Sequence, residues 1–230
     1  MPAASFNVVN ATTITAVLGA GASGDITVTN AYGSYTVGNF LFKYPPTLTS
    51  FSPALAGNGS VVTVTGTGFE PGGTWGPTNI SFGGVAATSV TWISPTTVTA
   101  VVGSGASGNV TVTTNYGIAN LPGFTWVTAP TISSFAPTSA SAGMTVTITG
   151  TNLNNTSSVS FGGAPASSLT VVSNTTVTAV VGLGSTGSVS LTTPGGTTSL
   201  AGFSYLLSAS APDWMKGILQ FPKKDSLQVG

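Results

Sequence analysis

The chain repeats itself, and this constrains its fold more than any other feature. Phe51-Ser-Pro-Ala-Leu-Ala-Gly-Asn-Gly-Ser-Val-Val-Thr-Val-Thr-Gly66 returns 84 residues later as Phe135-Ala-Pro-Thr-Ser-Ala-Ser-Ala-Gly-Met-Thr-Val-Thr-Ile-Thr-Gly150. Ser81-Phe-Gly-Gly84 and Thr96-Thr-Val-Thr-Ala-Val-Val-Gly103 return 79 residues later, as Ser160-Phe-Gly-Gly163 and Thr175-Thr-Val-Thr-Ala-Val-Val-Gly182. The second copy is shorter because the first carries Glu70-Pro-Gly-Gly-Thr-Trp-Gly-Pro77 between Phe69 and Asn79. Self-similarity of this kind marks one structural unit used more than once. A partial third copy stands first: Thr12-Thr-Ile-Thr-Ala-Val-Leu-Gly19 and Gly21-Ala-Ser-Gly24 precede their counterparts by 84 residues, so Met1 falls on Val85. The chain therefore divides into the C-terminal half of a repeat (1–44), two complete repeats (45–128 and 129–207) and a tail (208–230).

Within each copy apolar and polar residues alternate with period two, as in Thr145-Val-Thr-Ile-Thr and Val189-Ser-Leu. Each run is bounded by Gly, Pro or Asn, the pattern of short, half-buried strands. About seven such runs per copy predict an all-β chain of tandem immunoglobulin-like β-sandwiches, the first of them incomplete.

Charged residues make up 3% of the chain, against about 25% in ordinary soluble domains. Phosphate-backbone binding needs several Lys or Arg. The chain has no Arg, and Lys216, Lys223 and Lys224 lie in its last fifteen residues, so no nucleic-acid partner is expected. It has no His to titrate near neutrality and no Cys to act as nucleophile or soft metal ligand. Its acids, Asp25, Glu70, Asp213 and Asp225, are scattered, unlike the clustered oxygens that calcium wants or the facing carboxyls of a glycosidase. The expectation is a protein that is not an enzyme, with no cofactor and no metal. No run approaches the roughly 18 apolar residues of a spanning helix, so no membrane insertion is expected.

Four segments together resemble the IPT/TIG domains, which are immunoglobulin-like sandwiches: Pro130-Thr-Ile-Ser-Ser-Phe-Ala-Pro137, Thr145-Val-Thr-Ile-Thr-Gly-Thr-Asn-Leu153, Val159-Ser-Phe-Gly-Gly163 and Gly202-Phe-Ser-Tyr205. The resemblance covers residues 1 to about 207. It implies tandem extracellular modules of bacterial cell-surface proteins, or accessory modules beside carbohydrate-active enzymes. DNA-binding members carry basic loops, which this sequence lacks.

Three segments read as G-x-G-x-x-G: Gly19 to Gly24, Gly103 to Gly108 and Gly182 to Gly187. A dinucleotide site needs a helix to begin there, but each is followed by a strand pattern such as Asn109-Val-Thr-Val-Thr, so these are loops. Alternation puts Trp92 in the core, where the other copies have Val8 and Val171, and lets Trp126 close a strand face. Trp75 has no counterpart. It sits in the Gly/Pro-rich insertion, and loops at the ends of sandwiches collect binding residues, so it is the candidate contact for a glycan or another partner.

The opening half-repeat lacks the counterparts of residues 45–84, which the pattern reads as three strands. Its inner face, with Val8, Ile14, Val17 and Val28 as candidates, is expected to be open. The tail carries the apolar positions Trp214, Ile218, Leu219 and Phe221 and is long enough to lend a strand to a neighbour, as in donor-strand complementation. The functional expectation is a structural or adhesive extracellular repeat protein that self-associates head to tail into a filament, or joins another surface protein. The alternative is a carbohydrate-binding accessory module.

Overall fold

The computed structural model describes residues 2–19, 21, 23–72 and 76–207. Alternating Thr and Val residues become strands throughout. The first complete repeat has β5 (Thr47–Ser52), β6 (Leu55–Ala56), β7 (Val61–Thr67), β8 (Asn79–Phe82), β9 (Val85–Ala86), β10 (Ser89–Ser94), β11 (Thr97–Val101), β12 (Gly108–Thr114) and β13 (Gly117–Trp126), preceded by the four strands β1 to β4 described below. One sheet has the order β10-β11-β7-β5 and the other β6-β13-β12-β8-β9. Pairing is antiparallel except where β6 runs parallel to β13, Thr125 opposite Leu55 and Trp126 opposite Ala56.

The second complete repeat reproduces this order with β14 (Thr131–Ala136), β15 (Ser139–Ala140), β16 (Thr145–Thr151), β17 (Ser158–Phe161), β18 (Ala164–Pro165), β19 (Ser168–Ser173), β20 (Thr176–Val180), β21 (Gly187–Thr193) and β22 (Gly196–Tyr205). Each repeat thus has nine strands rather than seven, because two-residue strands such as β6 and β9 are too short to show a period. For the same reason residues 45–84 carry four strands, not three.

Strand alternation decides the cores. In β7 the inward positions are Val62, Val64 and Gly66, and in β16 they are Val146, Ile148 and Gly150, all buried. The glycines are required by space: a Cβ on Gly66 would strike the Thr47 carbonyl, and one on Gly150 the Thr131 carbonyl. Each core centres on a tilted phenylalanine pair, Phe82 with Phe124 and Phe161 with Phe203, at centroid distances of 4.7 and 4.9 Å. The Phe-Gly-Gly motif places Gly83 and Gly162 at φ +57° in the turns that follow β8 and β17. All three glycine-rich segments lead into strands, and the latter two join β11 to β12 and β20 to β21, crossing between the sheets.

Residues 1–44 form two hairpins, β1 (Ser5–Asn10) with β2 (Thr13–Val17), and β3 (Gly24–Asn30) with β4 (Gly33–Phe40). They are the sequence counterparts of β10–β11 and β12–β13. Among the described residues, no strand pairs with the other edge of β2 or β3.

Candidate functional site

The first candidate site is the open half-repeat. Its inward side chains are known from their counterparts. Ile14 is 44% exposed, Leu18 56%, Ile26 49% and Val28 46%, whereas Val98, Val102, Val110 and Val112 at the same repeat positions are all 0% exposed. Each fully buried Val, Ile or Leu contributes roughly 1.5–3 kcal/mol, so this face forgoes a large part of what stabilises the complete repeat. Val8 lies opposite Ile14 on the same face, while Val17 lies opposite Ser5 on the other. Leu18 and Ile26 join the inner face; the signal that identifies them is their alignment with buried valines of the next copy.

The second candidate site is a cleft of about 330 Å³ where residues 42–45 meet the first complete repeat. Its aromatic and proline wall comprises Phe42, Tyr44, Pro45, Trp92 and Pro95, and Lys43, Glu70 and Pro71 complete the rim. Phe42 and Tyr44 meet edge to face at 4.9 Å, and the Tyr44 hydroxyl donates to the Gly21 carbonyl at 3.0 Å. Lys43 Nζ donates to Glu70 Oε1 at 2.9 Å. Glu70 is buried, and its backbone N–H is accepted by Thr78 Oγ1 at 2.8 Å, so the unique insertion is tied to the repeat at its first residue. The insertion narrows where Pro71 bridges to Pro77.

Trp92 is not a core residue. It is 36% exposed, and its indole N–H donates to the Phe69 carbonyl at 3.1 Å. The alternation is right about the face: Trp92 lies opposite Val98, which is fully buried. The depth differs because β10 is an edge strand, so an indole in place of valine extends past the rim of the core and becomes part of the cleft wall. Trp126 does pack against the core, donating to the Gly103 carbonyl at 3.3 Å. Trp75, Trp214, Ile218, Leu219 and Phe221 lie outside the described residues. Among the described residues, no group of three His, Cys, Asp or Glu side chains comes together, and no helix is long and apolar enough to cross a membrane.

The profile of the IPT/TIG domain matches residues 46–123 and 130–206. The chain belongs to the IPT/TIG family. Among solved structures, it is similar to the full extracellular region of plexin A4, at 20% identity and a TM-score of 0.44, over 70% of this chain and 18% of that one. It is similar to SGBP-B from a complex xyloglucan utilization locus in Bacteroides uniformis, at 20% identity and a TM-score of 0.34, over 70% of this chain and 49% of that one. A third is the Bacteroides ovatus mixed-linkage glucan utilization locus SGBP-B in complex with mixed-linkage heptasaccharide, at 18% identity and a TM-score of 0.33, over 87% of this chain and 60% of that one. None of the curated proteins compared with the chain matches it.

Proposed function

We propose that this tandem IPT/TIG chain is a non-catalytic structural and adhesive module of the bacterial cell surface, joined through its open half-repeat to a second copy or another surface protein. The observation that supports this most directly is the inner face of residues 1–44, whose side chains stand in water where their repeat counterparts are sealed. Unpaired strand edges recruit strands from elsewhere. A contact of this kind is heterologous and grows into a filament unless its geometry closes. Light scattering over a range of concentrations tests self-association. The mass of the full chain is expected to rise with concentration, and Ile14→Asp with Val28→Asp to hold it at the monomer. A chain that is monomeric throughout overturns self-association, and deleting residues 208–230 shows whether the tail takes part.

A second reading, carbohydrate binding, is favoured by the cleft at Trp92. Binding sites pair apolar and aromatic walls with a few polar groups that fix orientation, and a sugar ring offers an apolar face to Trp92 and Tyr44 and hydroxyls to Lys43 and Glu70. A pull-down on insoluble polysaccharides tests it: binding lost in Trp92→Ala supports the cleft, and binding lost only in Trp75→Ala moves the site to the insertion. Retention of the chain by none of the polysaccharides ends this reading.

A further inference from the structure

The two complete repeats share one framework around the cleft but not its side chains. Phe69 N–H donates to the Pro95 carbonyl at 3.0 Å, and at the equivalent place Leu153 N–H donates to the Asn174 carbonyl at 2.9 Å. The Thr47 and Thr67 hydroxyls pair at 2.8 Å, as those of Thr131 and Thr151 do. On this shared frame Trp92 and Pro95 stand where the second repeat has Val171 and Asn174, and Lys43 and Tyr44 where it has Val127 and Thr128. Glu70 belongs to the insertion, which the second repeat lacks. The same fold is thus built without these side chains, and it is not folding that calls for them.

Charge singles out the same place. Residues 1–207 carry three charged side chains, Asp25, Lys43 and Glu70, and two of them meet on the cleft rim. The Glu70 backbone is held from both sides: its N–H is accepted by Thr78 Oγ1 at 2.8 Å, and that hydroxyl donates to the Glu70 carbonyl at 3.0 Å. The Glu70 side chain is 10% exposed and that of Lys43 30%, so the pair is net neutral and its cation is already engaged. A carboxylate or sulfate ligand would compete with Glu70 for Lys43 and leave a mostly buried carboxylate uncompensated, which is strongly unfavourable. A sugar hydroxyl makes no such demand, since it donates to Glu70 or accepts from Lys43 with the pair intact. The Trp92 indole, tethered to the Phe69 carbonyl and part-exposed, offers a fixed apolar surface, and a pyranose with equatorial hydroxyls covers such a surface with its C–H face.

We infer that the cleft selects uncharged polysaccharides of equatorially substituted pyranose rings and rejects acidic ones, with the Lys43–Glu70 pair setting the selection. This rests on the carbohydrate reading of the cleft and names its ligand class. Titration calorimetry of the full chain with soluble hydroxyethylcellulose and carboxymethylcellulose tests it, because the two polymers share one backbone and differ in charge. Expected is binding of hydroxyethylcellulose, with affinity for carboxymethylcellulose lower by about tenfold or more, as the opening of a mostly buried ion pair demands. Trp92→Val, which installs the residue the second repeat carries there, should abolish binding with a melting temperature close to that of the parent chain. Glu70→Gln leaves the Lys43 charge without its carboxylate and should close the gap between the polymers, and salt at about 1 M, where the screening length is near 3 Å, should reopen it. Equal affinity of the parent chain for both polymers, lost in Trp92→Val, overturns the charge selection and leaves the carbohydrate reading intact. Binding that survives Trp92→Val puts the sugar elsewhere and overturns the inference. If that variant fails to fold, Glu70→Gln carries the test, and an unchanged preference overturns the role of the pair. Binding of neither polymer also overturns the inference, and the pull-down on insoluble polysaccharides then decides the carbohydrate reading separately.

Discussion

Residues 5–44 and 89–128 have nearly the same pattern, form the same two hairpins with the same bulges, and reach different ends. In the complete repeat, Val98, Val110 and Val112 are sealed by β7 and β8; in the half-repeat, Ile14, Ile26 and Val28 face water. Hairpin formation is therefore a local property of these sequences, set by alternation and turn residues. Burial is not local, because it requires two strands whose paired residues come 28 to 40 positions earlier in the complete repeat. An isolated two-stranded hairpin is marginal in water, so the half-repeat has local structure without the cohesion that a second layer brings.

The sharpest way to break this comparison is to remove the same kind of side chain from each region. Ile80→Ala, in the core of the complete repeat, is expected to cost about 2–5 kcal/mol and to lower the melting temperature by roughly 10 °C or more. Ile26→Ala is expected to stay within about 0.5 kcal/mol, as at other exposed sites. Equal losses in thermal melts would mean that the half-repeat is already covered in solution. Amide exchange sharpens the contrast strand by strand: β11 and β12 should be protected on the order of 100-fold more than β2 and β3, and matching rates would contradict an open edge. The smallest effect concerns the tie between the two regions. Lys43→Ala removes the partner of Glu70 and is expected to cost about 1 kcal/mol, an effect the surrounding water limits at the part-exposed lysine. Salt at about 1 M, where the screening length is near 3 Å, should narrow the gap between this variant and the parent chain in chemical denaturation; a gap that salt leaves unchanged would mean packing, not charge, joins the regions.

The fold was legible because the sequence repeats: a second copy separates pattern from accident, and the Phe-Gly-Gly turns and Thr-Val runs recur at the positions where the structure needs them. What stayed hidden has physical causes. Two-residue strands such as β6 and β15 have no period to detect. Trp92 has the alternation of a core residue, and only its place on an edge strand, a matter of sheet order, leaves it part-exposed. The cleft is assembled from residues 42–45, 67–71, 92 and 95, which no spacing rule brings together. Glu70 gave no sign of Lys43 as its partner, since the two are 27 residues apart in sequence.

The parallel pairing of β6 with β13, repeated between β15 and β22, has a mechanical consequence. Thr125 N–H donates to the Ala54 carbonyl at 2.8 Å, and Ser204 N–H to the Thr138 carbonyl at 2.9 Å. Each pair links the entry of a repeat to its exit. Tension applied at the two ends of a repeat pulls such strands in opposite directions along their length, across the line of their hydrogen bonds. Bonds loaded in this way share the force and fail together, whereas those of a hairpin pulled open from its free ends break in turn. A chain anchored at one end and tugged at the other would meet its resistance at this short seam, and loss of the seam would release length one repeat at a time.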